Sequence, residues 1–361
     1  MDIITLVLFL LGFVFLVVGA DTLVKGASEF ATSVGISPLV VGLTIMAFGT
    51  SAPELAVSVQ SAYVGQPDLT VGNVIGSNIL NILMVLGIAA VIAPLTVNTK
   101  LIKMDVPLMI AMSILLYLLS MDLMISYIDG IILFSILLVY TVYLIVQSRR
   151  DNSIIAEAEM EELEELQKHS KETSIWVKVA YIVIGLVLLV LGADWLVKGA
   201  VVIAQYFGLS ELIIGLTIIA IGTSLPELAA TVAASLRGEK DLIIGGAVGS
   251  NLFNISMVLG ISSIVAPAGI QVSPIALNVD MIIMIAVAIL CLPTFFSGKQ
   301  LDRWEGFLFL GYYVAYTIYL LLSALDHPSL PLFNQIMLWG VVPATVVLLS
   351  FHIWHEHRQA A

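Results

Sequence analysis

Two six-residue strings hold the chemistry of this chain. Gly49-Thr50-Ser51-Ala52-Pro53-Glu54 and Gly222-Thr223-Ser224-Leu225-Pro226-Glu227 each fall in the middle of a long apolar stretch. Proline lacks a backbone donor and clashes with the preceding turn, so a helix running through either string is expected to kink or break. The break frees the carbonyls of Ala47, Phe48 and Thr50, and of Ala220, Ile221 and Thr223, to face a ligand. Inside a membrane, unsatisfied carbonyls are tolerated only beside a cavity or an ion. Glu54 and Glu227 put carboxylates where an ionised group costs about 3 kcal/mol. Hydroxyls, carbonyls and two carboxylates suit a hard cation such as Ca²⁺, which takes oxygen ligands in flexible geometry. No sulfur or histidine lies near enough to favour zinc or copper.

A second pair of motifs follows. Ser77, Asn78 and Asn81 are matched by Ser250, Asn251 and Asn254. Ser77 and Asn81, like Ser250 and Asn254, are four residues apart and share a helix face. Such faces offer neutral oxygens for smaller sites suited to Na⁺, or else bond helix to helix. Charge arithmetic then points to exchange. Two carboxylates around one Ca²⁺ make a neutral core, whereas an empty core holds two uncompensated charges that are costly to seal from water. Protonating both glutamates also neutralises the core, so H⁺ coupling is an alternative. A channel or a membrane scaffold fits midplane carboxylates on broken helices less well. No catalytic constellation or cofactor motif stands out, and a transporter rather than an enzyme is expected.

The elements that must position these groups are membrane helices. Of the 361 residues, 60% are hydrophobic and 11% charged, against roughly a quarter charged in soluble domains. Apolar stretches long enough to span a bilayer centre on 3–19, 37–60, 71–93, 104–121, 124–146, 176–192, 212–235, 242–266, 277–296, 306–324 and 333–354. With the N-terminus outside, thirteen of the fourteen Lys and Arg residues fall in inside loops, and only Lys198 is left outside. That is the positive-inside bias of a multi-pass protein with a cytoplasmic C-terminus. Met1-Asp2 lacks the positive segment of a signal peptide, so the first span is expected to be retained. The net charge of −12 is largely local, with seven acids between Asp151 and Glu165. The single Cys291 reads as a buried, inert thiol.

Residues 17–94 align without a gap on residues 190–267, and from 41 to 94 about half the positions are identical. VVGADTLVKGA matches VLGADWLVKGA, GLTIMAFGTSAPELA matches GLTIIAIGTSLPELA, and VIGSNILNILMVLG matches AVGSNLFNISMVLG. Five spans separate the copies, so the second enters the membrane upside down. Inverted repeats of this kind are a transporter architecture, with the site near the midplane where they meet. The expected fold is therefore all-α and integral to the membrane, with two inverted five-helix repeats forming a ten-helix core. One further helix follows. The halves run 1–148 and 176–324, joined by an acidic cytoplasmic linker over 149–175, with an extra C-terminal helix and tail over 325–361.

GTSAPE with GNVIGSNILNI, and GTSLPE with GSNLFNI, resemble the two alpha repeats of the sodium/calcium exchanger family, within the cation/calcium antiporters. The resemblance implies Ca²⁺ ligation by Thr50, Glu54, Thr223 and Glu227. It also implies Na⁺ sites around Ser51, Ser77, Asn81, Ser224, Ser250 and Asn254, with backbone carbonyls. Spans one and six are expected to slide across the other eight. Two departures stand out: Asn254 takes the place of an Asp found in some relatives, and Gly246 is the counterpart of Asn73. The implied partners are the transported Ca²⁺ and Na⁺ and the lipid bilayer, with no cofactor, nucleic acid or protein partner. Short loops suggest a prokaryotic plasma membrane.

Elsewhere the bland reading is preferred. IIAEAEMEELEELQKH reads as a short amphipathic helix in a solvated linker. Asp21 with Lys25 and Asp194 with Lys198 are expected as i,i+4 ion pairs. Asp105 and Asp280 sit at comparable places near the starts of spans four and nine. His352, His355 and His357 go with Trp354 as interfacial anchors.

Overall fold

The computed structural model describes residues 3–158, 174–207, 220–296 and 298–360. Apart from two short β-ladders the described chain is helical. Helix α1 is Ile3–Val34, and α2 (Pro38–Thr50) and α3 (Ala52–Tyr63) follow as one broken span bent by 46°. Helices α4 (Pro67–Ile92) and α5 (Leu101–Leu119) come next, then α6 (Tyr127–Ala158) and α7 (Ile175–Tyr206). In the second half, α8 (Ala220–Gly222) and α9 (Leu225–Arg237) flank the second proline. They are followed by α10 (Lys240–Val265), α11 (Ala276–Phe296), α12 (Arg303–Ala324) and α13 (Leu330–Trp354). Nine of these helices, or ten with the broken pair, are long and apolar enough to cross a membrane among the described residues. The chain is an all-α, multi-pass membrane protein. The start of the span expected over 212–235 lies outside the described residues, as do residues 159–173 of the acidic linker.

Burial sorts the helices into two groups. The most hydrophobic window of α10 is wholly buried and that of α4 mostly so, whereas α1 and α7 turn most of their surface outward. A helix apolar all round belongs in a core or in lipid, and here the same composition serves both. Helices α1 and α7 pack against each other along their length, and each runs 32 residues. They extend well past the expected spans 3–19 and 176–192. Their seam is made of glycines recurring every seven residues in both copies: Gly12, Gly19 and Gly26 on α1, Gly185, Gly192 and Gly199 on α7. A Cβ on Gly19 would lie 2.8 Å from Leu189 N, and one on Gly192 2.8 Å from Leu16 N. Small residues let membrane helices approach backbone to backbone.

Several contacts fasten loops that alternation of the spans puts on the same side. Strand β1 (Leu95–Thr96) pairs antiparallel with β4 (Gln300–Leu301), and β2 (Met124–Ile125) with β3 (Ile270–Gln271). Ser37 N donates to Ser148 Oγ at 2.9 Å, and Arg303 to Ile92 O at 3.3 Å.

One expected ion pair forms and the other does not. Lys198 and Asp194 pair at 2.8 Å within α7. Asp21 instead pairs with Arg237 at the end of α9, at 2.6 Å, and Lys25 lies over the Tyr181 ring, 5.0 Å from its centroid. A planar guanidinium across a helix interface displaces the local lysine because it engages the carboxylate with a fixed fork of donors. Gly238 follows Arg237 at φ 75°, the left-handed conformation that glycine adopts at a helix end. Beyond it Glu239 accepts a 2.6 Å hydrogen bond from Ser28 of α1.

Candidate ion-binding site

Both prolines open a helix, at Ser51 and at Ser224, and each serine hydroxyl is thrown across to the other half. Ser51 Oγ donates to Glu227 Oε1 at 3.2 Å, and Ser224 Oγ donates to Glu54 Oε1 at 2.9 Å. Because Ser51 matches Ser224 and Glu54 matches Glu227 in the repeat, this is one contact made twice. Ser224 Oγ also lies 3.1 Å from Ser77 Oγ, which is itself 3.5 Å from Glu54 Oε1. The hydroxyls of Thr50 and Ser250 are 3.5 Å apart beside Glu227. Both glutamates are buried, Glu54 completely and Glu227 to 4% exposure.

The asparagines repeat the exchange one layer away. Asn81 Nδ2 donates to Asn251 Oδ1, and Asn254 Nδ2 to Asn78 Oδ1, both at 3.1 Å. Asn81 and Asn254 each open a π-helical turn, Asn81–Leu86 and Asn254–Leu259. Such turns recur at functional sites because they re-aim side chains within a helix. The spans carrying Asp105 and Asp280 begin with π-helical turns as well, over Leu101–Asp105 and Ala276–Asp280. There Tyr140 donates to Asp105 at 2.8 Å, so this acid is tied to a tyrosine of its own half.

Buried oxygens without a partner occur on Asp105 and Asp280 as well, but four fall on the repeated motifs themselves. Glu54 Oε2, Glu227 Oε2, Asn81 Oδ1 and Asn254 Oδ1 have no hydrogen-bond partner among the described residues. Buried polar atoms are nearly always satisfied, and each orphan in a protein interior costs about 1–3 kcal/mol. The four lie on matched residues of two homologous motifs and comprise two carboxylate and two amide oxygens. That set suits a hard cation. Among the described residues no group of three or more His, Cys, Asp and Glu side chains converges to suit a softer metal.

Not every expected site residue joins this cluster. Glu54, Glu227, Thr50, Ser51, Ser77, Ser224, Ser250, Asn81 and Asn254 are buried together. Thr223 is only partly buried, and its hydroxyl donates to Asn73 Oδ1 at 3.3 Å. The carbonyl of Ala47 accepts Ser51 N and that of Ile221 accepts Ser224 N, both at 3.1 Å. These two were expected to be freed by the prolines, but the helix holds a last turn before each break. The Phe48 ring, 53% exposed, packs edge-on against Phe253. Ala220 opens the short helix α8.

Asn73, the counterpart of Gly246 in the repeat, links the two halves in a way its sequence position alone does not reveal. Its amide donates to the Glu54 carbonyl at 3.3 Å and to Ser58 Oγ at 2.9 Å, while its oxygen accepts from Thr223. The signal was its place one helical turn before Ser77, on the same face of α4. The seven-residue glycine spacing was equally legible.

Comparison with known proteins identifies the family to which this fold belongs. The sequence profile described as sodium/calcium exchanger protein matches residues 4–146 and 177–322. The putative antiporter CaxA of Alkalimonas amylolytica is 40% identical over 321 residues, covering 87% of this chain and 98% of that protein. The sodium/calcium exchanger MaX1 of Methanosarcina acetivorans is 28% identical over 340 residues, covering 86% and 97%. A solved structure of the sodium-calcium exchanger NCX_Mj superposes with a TM-score of 0.74 at 31% identity, covering 87% of this chain and 97% of that one. With a profile matched through both halves and a solved exchanger sharing its fold, this chain belongs to the sodium/calcium exchanger family, whose members are cation antiporters.

Proposed function

We propose that the chain exchanges Ca²⁺ for Na⁺ by alternating access, with Glu54 and Glu227 as ligands shared by the two ions. The observation that carries this reading is the set of four unpartnered buried oxygens on Glu54, Glu227, Asn81 and Asn254. Thr50, Glu54 and Glu227 would hold Ca²⁺, with Thr223 joining them only by leaving Asn73. Ser51, Ser77, Asn81, Ser224, Ser250 and Asn254 would serve Na⁺ or both ions. The carbonyls of Ala47, Phe48, Ala220 and Ile221 are further candidate ligands; that of Ala47 already meets Ser51 N at 3.1 Å and Thr50 Oγ1 at 3.5 Å.

Coupling follows from charge. With Asn at position 254 the core holds two carboxylates. One Ca²⁺ neutralises them, two Na⁺ do the same, and the unloaded pair is too costly to seal from water. The reciprocal bonds between copies support two inverted halves, 1–148 and 176–324, meeting at the site, with 149–175 as linker and 325–361 as an added helix and tail. Helices α1 and α7 are the candidate moving pair. They share a glycine seam, pack along each other's length and leave most of their remaining surface outside the protein core. The positive-inside pattern supports a cell-membrane protein with its N-terminus outside and C-terminus in the cytoplasm.

The test is ⁴⁵Ca²⁺ uptake into proteoliposomes loaded with Na⁺, with K⁺-loaded and acid-loaded vesicles alongside, for the wild type and Glu54→Gln. Uptake that needs the Na⁺ gradient and disappears in the variant is the expected result. Uptake driven by the proton gradient alone would transfer the reading to Ca²⁺/H⁺ exchange through the same carboxylates. Full uptake by Glu54→Gln would remove that glutamate from the site.

A further inference from the structure

A cavity of about 690 Å³ lies between α11, α12 and α13, away from the glutamates. It falls within the about 300–1,000 Å³ of small-molecule sites. Its lining is almost wholly apolar, and none of the residues along it is charged. On α13 the wall runs from Phe333 to Ile353. At 1.5 Å per residue that is about 30 Å, close to the hydrocarbon thickness of a bilayer. Ala286 on α11 and Ala315 on α12 face the hollow, and their small side chains leave the width. Helix α13 is held to the core by Tyr312, which donates to Thr345 Oγ1 at 2.7 Å, and by the edge-on contact of Trp304 with His352. It lies beyond the residues that the family profile matches.

We propose that this groove is a binding site for the acyl chains of a membrane phospholipid, recognised without regard to headgroup charge. An apolar groove this poor in polar partners does not retain water. The filler is therefore apolar, long and thin. The residues flanking the groove, Ile282, Ile289, Leu338 and Val346, are exposed, so the groove communicates with the surroundings of three membrane helices, which is lipid. At one end stand Asn278 and Asn334. They can hydrogen-bond a glycerol ester or phosphate but carry no charge to select an anionic head. Leu83, two residues from Asn81 on α4, reaches the wall. A bound chain would thus wedge α13 against the helices that carry the site.

The test is photolabelling of the wild-type protein in nanodiscs with a phosphatidylcholine bearing a diazirine on one acyl chain, followed by peptide mapping. The outward face of α1, with Val14 and Val17 exposed, reports ordinary lipid contact. Labelling of the groove faces of α11 and α13 at least fivefold above that reference is expected. Ala315→Phe should remove the excess without changing the label on α1. A phosphatidylglycerol analogue should label the groove equally. Groove labelling no higher than on α1, or an excess that survives in a folded Ala315→Phe, would overturn the site. Displacement by an isoprenoid quinone but not by unlabelled phospholipid would overturn the ligand class, and a several-fold preference for phosphatidylglycerol would overturn the indifference to headgroup. The wild-type map decides the main question even where the variant fails to fold.

Discussion

The two halves of the site are related by a repeat, yet only one of them is braced. In the first half Asn73 ties the Glu54 carbonyl, Ser58 and Thr223 into one network. In the second half its counterpart is Gly246, and the space is taken by Met46, whose Cε would lie 3.1 Å from a Cβ placed there. The glutamates themselves are treated alike, each receiving a serine hydroxyl from the opposite half. Symmetry is thus kept where the ion charge is met and given up one layer behind it. A pair of identical shells would hold the two carboxylates with equal stiffness. Here the Glu54 carbonyl is held by the Asn73 amide, while Gly246 offers no side chain and the flexible Met46 thioether fills the space beside it.

Replacing the glutamates tests the part that is kept. Glu54→Gln and Glu227→Gln are expected to reduce Ca²⁺ uptake by roughly a hundredfold or more each, the scale of removing one partner from a buried charge pair. A large difference between the two would show that only one carboxylate is essential. The next effect belongs to the glycine seam, which is also symmetric. Gly19→Leu and Gly192→Leu drive a side chain into the facing backbone, an overpacking of about 1–3 kcal/mol. Both should slow transport roughly tenfold, while Ca²⁺ binding measured by calorimetry stays within a few-fold of the wild type. Equal loss of binding would mean that the seam supports folding rather than movement.

The asymmetric layer should respond unequally. Asn73→Ala removes the side chain that ties the Glu54 carbonyl to Ser58, at about 1–3 kcal/mol, so Ca²⁺ affinity should fall roughly five- to tenfold. Gly246→Ala meets only the end of the Met46 side chain and should change affinity by less than about twofold. Equal effects from these substitutions would mean that the bracing by Asn73 is without consequence.

How far these features were legible in the sequence depends on the range of the interaction. The broken helices, the glutamates and the serine and asparagine faces follow from proline chemistry and helical spacing within a few residues. The repeat then fixes which position answers which. What a side chain bonds to across the molecule leaves no such trace. Asp21 reads as the partner of Lys25, four residues away, yet pairs with Arg237; Thr223 reads as an ion ligand, yet donates to Asn73. The π-helical turns at Asn81–Leu86 and Asn254–Leu259 were equally hidden. An extra residue in a turn answers to packing, not to propensity. The glycines of α1 and α7 lay in plain view at seven-residue spacing and needed only to be read as a seam.

The smallest expected effect concerns the ends of the proposed moving helices. The Asp21–Arg237 pair and the Ser28–Glu239 bond join α1 to the turn after α9, whereas the matched Asp194 bonds within α7, to Lys198. Breaking the first pair loosens one helix from another, while breaking the second changes only the helix that holds it. Both pairs are exposed, so each is worth about 0–1 kcal/mol, and Asp21→Asn should shift the balance of α1 positions by no more than about fivefold. Hydrogen exchange over residues 21–34 reads that balance. It should rise a few-fold in Asp21→Asn, stay unchanged in Asp194→Asn, and return when Asp21→Arg is combined with Arg237→Asp. Salt near 1 M, where the screening length falls to about 3 Å, should move exchange in the same direction as the first substitution. A rise of the same size in Asp194→Asn would mean that the two ends are held alike and that the difference lies only in which side chain answers the aspartate.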